Sequence, residues 1–228
     1  VPILKKSIFT AFLTLTVAIA QAAGLDAISA GDASAGVKAA LSKGADYAVS
    51  TLGKENGFLD NSKVKIPLPG YLQTAEKGLR MFGMGKQADE LIDTMNHAAE
   101  KAVAQAGPIL SDSIKKMSVQ DAKGILTGGE DSVTQYFKRT STDQLTAKFT
   151  PIVKDSTKKL QLAEQYNQFA GKAASSGLIN KKDADIDGYV TQKAIDGLFV
   201  MIAEEEKKLR SNPLGAGSDL LKKVFGAL

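Results

Sequence analysis

The sequence predicts an all-α protein, a single globular multi-helix domain around a central apolar helix, and three observations carry that expectation. Apolar residues recur at helical spacing along most of the chain, while alternating runs rich in Val, Ile and Thr are nearly absent. The interruptions are glycines and prolines placed where helices end and begin, as in Gly107-Pro108. Finally, Leu198-Phe199-Val200-Met201-Ile202-Ala203 is apolar on every side of a helix, the pattern of an element buried all round. We place it at the centre, with the charged run Glu204–Arg210 emerging into water.

The first residues read as a leader instead of a helix of that domain. Lys5 and Lys6 precede an apolar run from Ile8 to Ala20 and the small-residue stretch Ala20-Gln21-Ala22-Ala23. A cationic start, a short apolar block and small residues at a cleavage site make up a secretory signal peptide. The run falls short of the about 20 residues a membrane-crossing helix needs, so no permanent membrane anchor is expected. Residues 1–22 are therefore expected to be the signal peptide and 23–228 the single all-helical domain, delivered to the periplasm. The chain has no cysteine, which excludes disulfides, thiolate metal sites and lipid attachment at a mature N-terminal cysteine. Its formal net charge of +4 includes Lys5 and Lys6, which leave with the leader. The balance that remains is too small for a nucleic-acid partner.

Along the domain, a first helix is expected over Ser34–Leu52, with Val37, Leu41, Ala45, Ala48, Val49 and Leu52 on one side and Gly53 ending it. Lys54–Gly70 is an irregular connection. Asn56-Gly57 marks a turn there, and each proline of Ile66-Pro67-Leu68-Pro69 forces its predecessor out of the helical region. Its Phe58, Leu59, Val64, Ile66 and Leu68 predict a strap packed on the helices. Helices are then predicted over Tyr71–Phe82 and Lys86–Ala106, the second with the stripe Ala88, Leu91, Ile92, Met95, Ala98, Ala99, Ala102, Val103 and Ala106. Small residues there let a neighbour approach closely. Ser118-Val119-Gln120-Asp121 resembles a capping box opening a short helix that stops at Thr127. Further helices are predicted over Asp131–Lys138, Thr142–Leu160 with a break or kink at Pro151, Leu162–Ser176, Ile186–Arg210 and Ser218–Leu228.

From Gly57 onward the chain resembles the exported bacterial proteins grouped as domain of unknown function family 4197. Gly57-Phe58-Leu59, Ile66-Pro67-Leu68-Pro69, Gly85 through Leu91, Asp121 through Leu126, Gln135-Tyr136-Phe137, Tyr189 through Ala194, Ala203 through Lys208 and Leu220 through Gly226 carry the likeness. It implies a helical periplasmic protein and brings no activity, cofactor or site with it.

The sharpest local pattern is Asp183-Ala184-Asp185-Ile186-Asp187-Gly188, which fits the opening of an EF-hand calcium loop. The twelfth position is Ala194, where a bidentate Glu would close the site, and capping of a helix N-terminus explains the same letters. Calcium binding by Asp183, Asp185 and Asp187 is therefore not expected. The single histidine, His97, has no second histidine or cysteine for a metal cluster and reads as a solvated residue. Glu204, Glu205 and Glu206 point in different directions on a helix and read as a solvated end, with Glu204–Lys208 and Glu206–Arg210 spaced for ion pairs. Neither Gly83-Met84-Gly85-Lys86 nor Thr127-Gly128-Gly129 has phosphate-loop spacing.

Elimination thus predicts a non-enzymatic binding protein without a cofactor. Its expected ligand is an apolar or lipid-like small molecule, or else an envelope protein. The expected binding surface combines the strap residues Ile66, Pro67, Leu68 and Pro69 with Leu221, Val224 and Phe225 of the last helix. The alternative is a hydrolase or lyase that gathers Asp196, Glu90 and Asp121 from separate helices.

Overall fold

The computed structural model describes residues 29–70, 72, 73, 80, 85–158, 164, 175 and 185–212. Among them are six helices and no strand: α1 Ala30–Leu52, α2 Gly85–Val103, α3 Gly107–Lys115, α4 Val119–Thr127, α5 Ser132–Thr157 and α6 Ile186–Ser211. The helices expected over Tyr71–Phe82, Leu162–Ser176 and Ser218–Leu228 fall wholly or largely outside the described residues.

α1 begins earlier than Ser34 because Ser29 caps it, its hydroxyl accepting the Asp32 amide at 3.0 Å. It ends as expected at Gly53, whose N–H reaches the Val49 carbonyl at 2.8 Å. The connection to α2 is the packed strap the sequence predicts, with Phe58, Val64, Ile66 and Leu68 buried. Asn56 takes the left-handed conformation with φ of 60°, which asparagine tolerates better than most residues. A Cβ on the following Gly57 would lie 2.5 Å from the Leu52 carbonyl oxygen, so only glycine fits. The strap is clamped at its far end by Asn96 of α2. The Asn96 side-chain carbonyl accepts the Ile66 N–H at 2.8 Å, and its amide donates to the Ile66 carbonyl at 2.9 Å and the Ile92 carbonyl at 2.8 Å. A fully buried amide is satisfied in this way by a segment that has no ladder of its own.

α2 buries the predicted stripe, with Ala88, Leu91, Met95, Ala98, Ala99, Ala102 and Val103 in the core and Ile92 packed at its margin. At the start of α4 the capping box is complete, with Ser118 and Asp121 each bonding the other's backbone amide. α5 departs from expectation, because Ser132–Thr157 is one unbroken helix. Its hydroxyls fold back onto carbonyls one turn earlier, Thr140 on Tyr136 at 2.9 Å and Thr142 on Lys138 at 2.6 Å, so the Thr/Ser run does not compete with the helix. Phe137, Ser141, Leu145, Phe149 and Val153 recur every four residues as a buried ridge through that run. Ala147 and Pro151 sit on the exposed side, where water can take the carbonyl the proline leaves unbonded.

α6 packs against α5, α1 and α2, and one hydrophobic cluster joins all the described elements. Gly197 lets it do so: a Cβ there would strike the Phe58 ring at 2.6 Å. Two expectations about α6 need correcting. It is not buried all round, since Val200 is 40% exposed in line with the exposed Asp196, on the side its neighbours leave to solvent. Nor does the whole charged end emerge into water. Glu205 and Glu206 are buried, because Glu206 is drawn in as the cap of another helix.

Candidate functional site

A groove with room for a small molecule lies where the ends of α1 and α2 meet the start of the strap and the side of α5. Its organising residue is Glu100, on the last turns of α2 and only 5% exposed. The left-handed turn at Asn56 aims three strap amides at its carboxylate: Asn56 N–H at 3.2 Å, Phe58 N–H at 3.0 Å and Leu59 N–H at 3.3 Å. Such a nest of amides stabilises a buried anion without a metal or a lysine. One turn earlier, His97 places Nδ1 2.8 Å from the same carboxylate. A carboxylate can only accept, so Nδ1 carries the proton and the ring is held in one orientation. The His97 side chain is 39% exposed and lines the groove.

The groove encloses about 880 Å³, within the range of small-molecule sites. Its described floor is Gly53, Ala104 and Ile152, and Lys54, Lys101, Lys148, Glu55 and Gln105 stand around it. Between α1, α5 and α6 the gap beside Ile202 and Leu209 holds about 10 Å³, less than a water molecule requires.

The residues singled out from sequence are placed differently from one another. Ile66 and Leu68 are buried in the core and Pro69 is buried beside them, so these side chains are committed to packing. Pro67 is exposed and its carbonyl accepts the Tyr189 hydroxyl at 3.1 Å. Leu221, Val224 and Phe225 lie outside the described residues, as does Asp183. Asp185 is the N-cap of α6, accepting the Asp187 amide at 3.0 Å, and Asp187 accepts the Thr157 hydroxyl. Among the described residues no cluster of three or more His, Cys, Asp or Glu could hold a metal ion.

Glu90 is exposed, and the exposed Asp196 accepts from the Gln192 amide at 2.9 Å. Asp121 belongs to the α4 capping box and pairs with Arg139 at 2.9 Å. The Ser118 hydroxyl foremost, and then Arg139, hold its carboxyl below the usual value. No groove described here is lined by two of these three carboxylates. Of the glutamate run, Glu206 pairs with Arg210 as its spacing predicts, whereas Glu204 turns to Lys63 and Lys208 meets Glu205.

Glu100, Asn96 and Glu206 were missed from sequence. A visible signal existed for the first, since His97 and Glu100 stand one helical turn apart. The backbone groups that give all three their role, the strap amides, Ile66 and the start of α5, lie at least 30 residues away along the chain, beyond the reach of local pattern.

Among the described residues no helix is long and apolar enough to cross a membrane. No curated protein and no solved structure matches the chain. The family described as protein of unknown function (DUF4197) matches residues 27–226, nearly the whole chain, and the protein belongs to that family.

Proposed function

We propose that this is a non-enzymatic binding protein of the periplasm, exported by a cleaved leader, which holds a small amphipathic molecule in the groove above His97. The observation that carries the reading is the pairing of a ligand-sized groove with a preorganised polar group at its edge. An apolar floor with a few fixed polar side chains is the usual composition of a binding site. The gap beside the central helix at Ile202 and Leu209, about 10 Å³, is too small for a ligand, which favours the surface groove. The engagement of Asp121 in a capping box and of Asp196 by Gln192 favours binding over the hydrolase or lyase alternative, which would gather them with Glu90.

The test is native mass spectrometry of protein purified from its own cells under non-denaturing conditions. A retained small-molecule mass is expected, and it should be lost in Ala104→Trp, which fills the groove floor, while the thermal melt stays unchanged. Bare protein that also binds no amphiphile in titration would remove the reading. Co-purification of an envelope protein through the same face would make that protein the ligand.

A further inference from the structure

Resting on the binding reading above, we propose that the groove selects its amphiphile by an anionic oxygen head, a carboxylate or phosphate, held by Lys101 and Lys148 with the chain along Ala104 and Ile152. Charge is the first argument. Lys54, Lys101 and Lys148 line the groove, and none of them is paired with a carboxylate among the described residues. Glu55 is the one exposed carboxylate in the described lining.

Glu100 is not available to pair directly with these cations. Its two oxygens are already taken by three strap amides and by His97. With Nδ1–H turned to Glu100, the outer ring nitrogen Nε2 presents a lone pair and can only accept, so holding an anion falls to the lysines. The ends of α1 and α2 also face this region, and helix C-termini ordinarily favour cations. Some of these carbonyls are taken by the turns that follow: Val49 by Gly53 N–H, Glu100 by Ala104 N–H, Ala102 by Gln105 N–H and Val103 by Ala106 N–H. Among the charged side chains of the described lining, Lys54, Lys101 and Lys148 outnumber Glu55 and the buried Glu100. Charge-assisted hydrogen bonds are about twice as strong as neutral ones, which favours an ionised oxyacid over an alcohol of the same chain length.

The experiment is titration calorimetry of the protein with octanoate, octyl phosphate, octanol and inorganic phosphate. The two anionic amphiphiles should bind at least about tenfold more tightly than octanol, and inorganic phosphate should bind weakly because it has no chain. Lys101→Glu should weaken both anions by about tenfold or more and leave octanol unchanged. Lys148→Glu should do the same to a smaller degree, and both exposed positions should keep the wild-type melt. Octanol binding as tightly as octanoate, or anion binding untouched by both charge reversals, overturns the headgroup inference and leaves the groove reading standing. Inorganic phosphate matching octyl phosphate overturns it too, as a site for free anions. Failure of every amphiphile to bind sinks both this inference and the binding reading.

Discussion

Glu100 and Glu206 are two buried glutamates that perform the same local task in opposite surroundings. Glu206, on α6, accepts the Val133 N–H at 2.9 Å, the Thr134 N–H at 3.1 Å and the Thr134 hydroxyl at 3.1 Å. It thereby caps α5 from another helix. The residue at the local cap position, Asp131, makes no capping bond and instead accepts from the Gln135 side chain. Arg210 completes the arrangement, meeting Glu206 at 3.1 Å while donating to the Ile125 carbonyl at 3.0 Å and the Ser132 hydroxyl at 2.6 Å. Every partner there is protein and the counter-ion is permanently charged, so the cluster is closed. Glu100 also gathers backbone amides, but its last partner is an imidazole at the edge of a groove. What separates a fastener from a candidate site is the partner that finishes the carboxylate, not the carboxylate itself.

The comparison can be broken most forcefully through the core. Phe199→Ala on α6, where the ring is buried, should cost about 3–5 kcal/mol in urea unfolding. Glu206→Ala should cost a similar roughly 3–5 kcal/mol, because it leaves Arg210 and two α5 amides without their carboxylate. An unharmed Phe199→Ala protein would mean that α6 is not central. Glu100→Gln keeps one acceptor and should cost less, about 1.5–3 kcal/mol. Hydrogen exchange should then speed at the Phe58 and Leu59 amides while α5 stays protected. Equal losses from Glu100→Gln and Glu206→Gln, with exchange rising throughout, would erase the distinction between open and closed clusters.

Smaller effects sharpen the picture. Ser118→Ala should destabilise by about 1 kcal/mol, the usual value of an N-cap. Asp121 shares that capping box, and its carboxyl is held below the ordinary value near 4, so its contribution is complete above about pH 4. It is lost as the pH falls through the lowered value. A melt series in Asp121→Asn should therefore run below wild type at neutral pH and meet it in strong acid. Least of all, His97→Gln should change stability by under about 1 kcal/mol, since its hydrogen bond to Glu100 is open to water on one side. It should nevertheless weaken ligand binding, and that split between stability and binding marks the groove as functional.

Much of the helical frame is legible along the chain. The stripe of α2, the Gly53 stop, the Ser118 capping box and the packed strap each follow from residues within a few positions of one another. Where local reading failed, a distant partner intervened. α5 runs through the Arg139-Thr140-Ser141 stretch because its ridge is buried against α6 and α2, and tertiary burial outweighs the modest reluctance of Thr and Ser to be helical. Ile66 and Leu68 looked available for a ligand but are used by the core, because Asn96 fixes the backbone between them in register.

By itself, then, the amino-acid order determined an all-helical fold, the Ser118 cap and the Gly53 stop, the apolar faces and the family to which it belongs. These are matters of spacing, and spacing is written locally. The tertiary structure alone decided which charges are buried. Glu204, Glu205 and Glu206 are the same side chain three times over, yet only Glu206 meets the open end of a helix. Glu100 becomes the anchor of a groove only because a left-handed turn more than 40 residues earlier directs its amides there. A carboxylate's role depends on which donors surround it, and those donors are assembled only when the helices pack.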